Sequence, residues 1–248
     1  MEAVMIRIIF ITIVFLQVGC QLTQTKIEQQ IQIDHKYAEF VKIDTRSPQK
    51  YYLANYPDSI LFQASDYPLK DGLLKIAQRL ALNGVGPNQK ILIITDQQEV
   101  AGDEFYLEYL LQKLKTTGYQ KIDVGQLRLQ NPRSDFRPQN QELWPLENVE
   151  IAMTKSQIPE NTICIEIKNT TKLGDLLGNS LTGKSINDLT FSQNLKQCDQ
   201  EKSVCSSNDL SCINRQVAIV VKSSDSKLAA LLLLDLKKKG FTLGTILF

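Results

Sequence analysis

Lys90-Ile91-Leu92-Ile93-Ile94-Thr95 is a continuous aliphatic run, and its reading decides the fold. Such a run fits a strand covered on both faces, the situation of a parallel sheet flanked by helices. Upstream, Ser59-Ile60-Leu61-Phe62-Gln63-Ala64 is β-prone and is closed by the turn signal Ser65-Asp66-Tyr67-Pro68. Between the two runs Leu73, Ile76, Ala77 and Leu80 recur at i, i+3, i+4 and i+7, which predicts a helix over 69–82. Asn83-Gly84-Val85-Gly86-Pro87 stops it. Downstream, Leu107, Leu110, Leu111 and Leu114 share one face of a helix predicted over 103–117, with Gly118 as its C-cap. Residues 121–129 alternate as a third strand through Ile122, Val124, Leu127 and Leu129, with a bulge at Gly125. The predicted order is β-α-β-α-β.

The composition bounds what such a chain can do. Its 248 residues are 43% apolar and 22% charged, which excludes a disordered tail protein. Lys plus Arg number 28 against 27 Asp plus Glu, so no basic face is expected and nucleic acid is excluded as a partner. The single histidine, His35, lies in a polar stretch and reads as solvated, which removes most triad and His-metal chemistry. No Ser or Cys has a partner base within sequence reach, so no catalytic residue is assigned and the chain reads as non-enzymatic.

Beyond the first three strands the pattern loosens. A polar bridge with three prolines runs from Asn131 to Pro145 and contains Trp144, either a packing anchor between the halves or an interface residue. Strands are predicted over 149–153 and 162–167, and residues 170–215 are loop-rich. The chain then closes with a β-α-β unit: a strand over 217–221, a helix over 226–239 and a strand over 241–248. Asp225 before that helix, Lys237-Lys238-Lys239 in its last turn and Gly240 after it suit capping and the helix dipole. Leu231 to Leu234 make it apolar all round, hence buried on more than one side. The fold class is α+β: a βαβαβ segment, a loop-rich disulfide-bearing part and a terminal βαβ unit.

The first residues read MEAVMIRIIFITIVFLQVGC. The uncharged run from Ile8 to Val18 is eleven residues, whereas a membrane-spanning helix needs about 20. It has the length of a secretory h-region. Gln17-Val18-Gly19-Cys20 resembles a bacterial lipobox. That resemblance implies cleavage before Cys20, lipidation of Cys20 and, with Gln21 next, delivery to the outer membrane. The organisation expected is a lipoprotein signal peptide at 1–19, a tether at 20–38, an α/β domain at 39–130, and a C-terminal α/β part with a cysteine-rich loop at 131–248. Cys164, Cys198, Cys205 and Cys212 then remain, an even number that suits two disulfides with three connectivities. The lack of a CxxC and of a nearby His argues against zinc.

Two motifs invite chemistry. Gly178-Asn179-Ser180-Leu181-Thr182-Gly183-Lys184-Ser185 is a complete GxxxxGK[ST], but its predicted upstream strand ends near Ile167, with Asn169-Thr170-Thr171 intervening. It reads as a Gly/Ser/Thr loop, with no nucleotide and no cofactor. Thr95-Asp96 sits where a strand enters a loop and a helix, and Asp96 reads as a loop residue or helix cap. OmpA-like domains carry an Asp at such a place, followed by Asn-x-x-Leu-Ser-x-x-Arg-Ala. Here the following helix reads DEFYLEYLLQKLKTTG, and Lys113 or Lys115 would not reproduce the guanidinium fork.

With residues 59–98 and 121–129, the first half resembles the OmpA-like βαβαβ scaffold. Together with the leader and the cysteine-bearing second half, the whole resembles the Tad (Flp) pilus assembly lipoproteins of the CpaD group. That resemblance implies a lipid-anchored protein on the periplasmic face of the outer membrane, a non-enzymatic accessory of a pilus secretin or of other pilus assembly proteins, serving adherence. The final strand over 241–248 would offer an edge for β-augmentation. The alternative is a peptidoglycan-associated envelope lipoprotein of OmpA-like type; an envelope NTPase is a third reading.

Overall fold

Val41-Lys42-Ile43-Asp44 alternates along a strand, β1 (Val41–Asp44), and sits in the middle of the first sheet. A computed structural model describes residues 28, 32–33, 35–99, 101–116, 118–130, 144, 152–153, 162–167, 195–197 and 215–247. Ser47-Pro48 turns the chain directly into α1 (Pro48–Leu53), with proline in the first turn, where its missing N–H costs nothing. β2 (Ser59–Leu61), α2 (Gly72–Leu82), β3 (Ile91–Thr95), α3 (Asp103–Lys113) and β4 (Tyr119–Asp123) follow. All pairings in this sheet are parallel, in the order β2-β1-β3-β4.

The four-stranded order corrects the OmpA-like βαβαβ reading. A strand that the three-strand reading lacks lies between β2 and β3, and pairs Ile43 with Ile60 on one side and Ile93 on the other. It is only four residues long and two of the four are Lys42 and Asp44, so it carries no apolar run to see. The other elements lie close to their predicted places. β4 stops at Asp123 because that carboxylate accepts from the Gly125 amide at 2.8 Å and bends the chain into a 3₁₀ turn, so there is no strand to 129 and no bulge. The left-handed residue after α3 is Lys115 (φ 55°), ahead of Gly118.

The second sheet runs β5-β9-β8-β6-β7, built from β5 (Ala152–Met153), β6 (Ile163–Glu166), β7 (Leu195–Gln197), β8 (Ile219–Lys222) and β9 (Thr245–Leu247). Only β7 is antiparallel. α4 (Ser226–Lys238) links β8 to β9, so the terminal βαβ unit forms as read. β9 pairs with β8 and with β5, so it is an interior strand, and the expectation of a free C-terminal edge for a partner is overturned.

The two sheets share one core. β3 shows why a four-aliphatic run was needed: Ile91 and Ile93 enter the main cluster, while Leu92 and Ile94 enter a second one on the opposite face with Tyr37, Tyr56, Ile122 and Leu127. α3 packs on α4, joining Tyr106, Leu107, Tyr109 and Leu110 to Ala229, Ala230 and Leu233 in the main cluster. Leu231 to Leu234 are all buried, as expected of a helix caught between a sheet and another helix. α3 is buried beyond its leucine face for the same reason, and even Glu104 and Glu108 are covered. Trp144 is buried and donates from Nε1 to the Val85 carbonyl at 2.9 Å, which makes it a packing anchor. Among the described residues no helix is long and apolar enough to cross a membrane.

Candidate functional site

The parallel strands bring their carboxyl ends to one edge of each sheet. In the first sheet the crossovers leave β1 toward β2 and β3 toward β4, so the crevice opens between β1 and β3, the usual place for ligands in such sheets. β3-α3-β4 and β8-α4-β9 are equivalent units, each a parallel pair with a covering helix, and the two helices pack on one another.

At the first edge, Asp44 is fully buried at the end of β1, and Arg46 closes a ring on it. Asp44 Oδ1 accepts from the Arg46 amide and Nε, both at 3.0 Å, and Oδ2 accepts from Nη2 at 2.7 Å. The same Nη2 donates to the Ala54 carbonyl at 2.8 Å, tying the end of α1 to β1. This aims α1 so that Lys50 reaches the end of β3, where its Nζ lies 2.7 Å from Asp96 Oδ2 and also pairs with Glu99. Asp96 Oδ1 accepts from the Gln98 amide at 2.9 Å. Burial works to raise the Asp96 carboxyl, but Lys50 and the amides of Gln98 and Glu99 outweigh it and hold it below the ordinary carboxylate value. Lys50 is raised by its hydrogen bonds to Asp96 and then Glu99. Asp96 is thus a loop residue engaged by Lys50. It caps no helix, since Gly102 (φ 85°) stands at the start of α3.

At the second edge, Lys222-Ser223-Ser224-Asp225 joins β8 to α4. Lys222 and Ser224 are exposed and Ser223 is half-buried. Asp225 accepts from the Lys227 amide at 2.8 Å and caps α4, while its own amide donates to Ser223 Oγ at 3.1 Å. The two edges meet through Asp103 at the start of α3. Its Oδ1 accepts from the Ala64 amide at 2.6 Å and its Oδ2 pairs with Lys227 Nζ at 2.7 Å. Lys227 Nζ also donates to the Ala101 carbonyl at 3.2 Å.

A strand-loop-helix junction presents a helix dipole end that favours small anions, here with the Asp225 carboxylate already on the Lys227 amide, and Lys222, Ser223 and Ser224 supply the loop's other polar side chains. No described residue of either loop is a thiol or an imidazole. Cys164 lies on β6 against Val220 and Leu247 and is disulfide-bonded, so its sulfur is no nucleophile. Among the described residues no group of three or more His, Cys, Asp or Glu could hold a metal ion. His35 is exposed. Cys20, Cys198, Cys205, Cys212 and the GxxxxGK[ST] stretch at 178–185 lie outside the described residues.

Sequence reasoning reached Asp96 but missed Asp44, Arg46, Lys50, Asp103, Lys222 and Lys227. The available signals were the alternation at 41–44 followed by Thr-Arg-Ser-Pro, and Lys222-Ser-Ser-Asp225 between a strand and a helix.

No family model matches the chain, and no curated protein does. Solved structures do. The chain is similar to the crystal structure of SseA from Escherichia coli, solved for the "Rhodanese" fold and catalytic mechanism of 3-mercaptopyruvate sulfotransferases, with a TM-score of 0.51 and 12% identity over 87% of this chain and 95% of that one. It is also similar to 3-mercaptopyruvate sulfurtransferase from Leishmania major, with a TM-score of 0.55 and 12% identity over 87% of this chain and 70% of that one. These likenesses overturn the resemblance to Tad pilus lipoproteins, and with it the role of secretin accessory in pilus assembly and adherence. The OmpA-like peptidoglycan alternative is not favoured either. Both similar structures are of enzymes, so the lack of a histidine constellation was no ground for calling the chain non-enzymatic. At 12% identity the likeness is one of fold: a mixed α/β chain with parallel sheets, similar to the rhodanese type.

Proposed function

We propose that this chain is a rhodanese-fold group-transfer enzyme that takes sulfur from a small anionic thiol acid of the 3-mercaptopyruvate class. The carrying observation is the Lys222-Ser223-Ser224-Asp225 loop at the carboxyl end of β8, in a chain whose fold resembles sulfurtransferases over 87% of its length. The Lys222 ammonium and the Ser223 hydroxyl take the donor's carboxylate, since Asp225 already caps α4 at the Lys227 amide. An acceptor thiolate attacks the donor sulfur, the C–S bond breaks, and its electron pair passes to carbon as the enolate of pyruvate, which then takes up a proton. The acceptor leaves as a persulfide. Because the loop holds no thiol, the acceptor is external and the transfer is direct.

The test is persulfide and pyruvate formation from 3-mercaptopyruvate with an added small-molecule thiol. Activity is expected in the wild-type chain, to fall about tenfold or more in Lys222→Ala, the scale of one charge-assisted hydrogen bond, and to survive Cys198→Ser, Cys205→Ser and Cys212→Ser. No turnover in the wild-type chain removes the reading, and loss of turnover in one cysteine variant removes direct transfer. We further propose that the chain is exported and acylated on Cys20; the disulfide of Cys164 supports an oxidising compartment, and the mass of the N-terminal peptide decides the acylation.

A further inference from the structure

We propose that the Asp103–Lys227 pair is a positioning device that makes the two strand-end crevices open and close together. Three loops converge on this pair. Ala64 begins the turn after β2, Ala101 precedes α3, and Asp225–Lys227 opens α4. One carboxylate is divided between them, with Oδ1 on the Ala64 amide at 2.6 Å and Oδ2 on Lys227 Nζ at 2.7 Å. The ammonium is divided likewise, reaching the Ala101 carbonyl at 3.2 Å. The Asp103 side chain is 12% exposed and that of Lys227 31%, so the pair is shielded enough to matter and open enough to move.

The placement gives the pair leverage. Asp103 is the first residue of α3 and Lys227 is in the first turn of α4, and these helices form the packed contact between the two sheets. The Ala64 amide is buried and has no water to turn to, so it opens only when Asp103 lets go. Lys227 in turn fixes the direction in which the Lys222–Asp225 loop presents its amides, since its own amide is held by Asp225 Oδ1 at 2.8 Å. A ligand that orders this loop therefore tightens Lys227 on Asp103 and Asp103 on Ala64. The ligand-free coupling stands on geometry alone, and its use in holding a thiol acid rests on the function proposed above.

Amide hydrogen exchange on the full chain, resolved residue by residue, tests both. In Lys227→Met, exchange at Ala64 and at residues 223–227 is expected to rise together by about tenfold, the scale of one charge-assisted hydrogen bond, while β3 and α2 amides stay near their wild-type rates. Lys227→Arg, which keeps the pair, should restore both segments. A rise confined to 223–227, or an equal rise throughout the protein, overturns the coupling. With saturating 3-mercaptopyruvate the wild-type chain is expected to gain protection at both segments and Lys227→Met only at 223–227. Protection at neither segment in the wild-type chain removes the ligand reading, and the ligand-free comparison then still decides the coupling.

Discussion

Replacing Arg46 by alanine leaves the Asp44 carboxylate sealed in the protein without its cation. Asp44 has 0% side-chain exposure and Arg46 4%. Three Arg46 donors face it: the amide and Nε, each 3.0 Å from Oδ1, and Nη2, 2.7 Å from Oδ2. Only the amide survives the substitution, and the Ala54 carbonyl loses its 2.8 Å donor as well. Removing one partner of a buried pair costs about 3–5 kcal/mol, because the remaining charge is neither solvated nor matched. Domains are stable by only about 5–15 kcal/mol, so the loss takes about a fifth or more of the total. For a chain of this size it corresponds to a fall in Tm of about 6–20 °C. Urea unfolding of wild type, Arg46→Ala, Asp44→Ala and the double variant forms the test. The double variant should lose clearly less than the two single losses added together, since it buries no lone charge. An Arg46→Ala loss below about 1 kcal/mol, or strict additivity, refutes the argument. Arg46→Lys should recover only part of the loss, because an ammonium cannot span both oxygens and reach Ala54.

Three further outcomes follow from other sites. Gly244→Ala places a Cβ 2.4 Å from the Ile219 carbonyl oxygen and 2.6 Å from Leu233 Cδ2, so β9 must shift from β8. A loss of about 1–3 kcal/mol in urea unfolding is expected, and an unchanged midpoint would refute the close approach. The Asp96 carboxyl is held below its unfolded value, so its contribution is present above about pH 4 and is lost as pH falls through the lower folded value. Lys50→Met should therefore lower Tm in the neutral region while leaving the acid extreme little changed, which flattens the acid limb of a Tm-against-pH series, and an unaltered limb would count against the pair. Reduction of the disulfide at Cys164 is expected to lower stability by about 2–4 kcal/mol, read as a shift of the urea midpoint with and without a thiol reductant.

Much of the first half was written into the chain. Local pattern suffices where an element must be amphipathic or doubly buried. The spacing of Leu73, Ile76, Ala77 and Leu80 and the run Ile91 to Ile94 state which faces meet the core, and all eight side chains are buried. The terminal β-α-β unit is legible for the same reason, with Asp225 as a cap and Leu231 to Leu234 too apolar to face water. Strand β1 was not legible. Its place at the centre of the sheet rests on Asp44, whose burial is possible only because Arg46 and the end of α1 close over it, and no window of sequence contains that closure. Without β1 the segment reads as three strands, which is how the OmpA-like resemblance arose.

The candidate site divides in the same way. Sequence placed Asp96 at a strand end and located the loop before α4, because both lie at breaks in hydrophobic periodicity. Tertiary structure alone decided which side chains meet there. Lys50 reaches Asp96 across 46 positions and Lys227 reaches Asp103 across 124, and each contact exists only because parallel strands bring their carboxyl ends to one edge. Periodicity reports what a residue does within its own element, and so it fixed the helices, the buried strands and the order in which they occur. Strand order, the pairing of α3 with α4 and the meeting of the two crevices depend on contacts distant in sequence, which side-chain pattern does not encode and the folded core does.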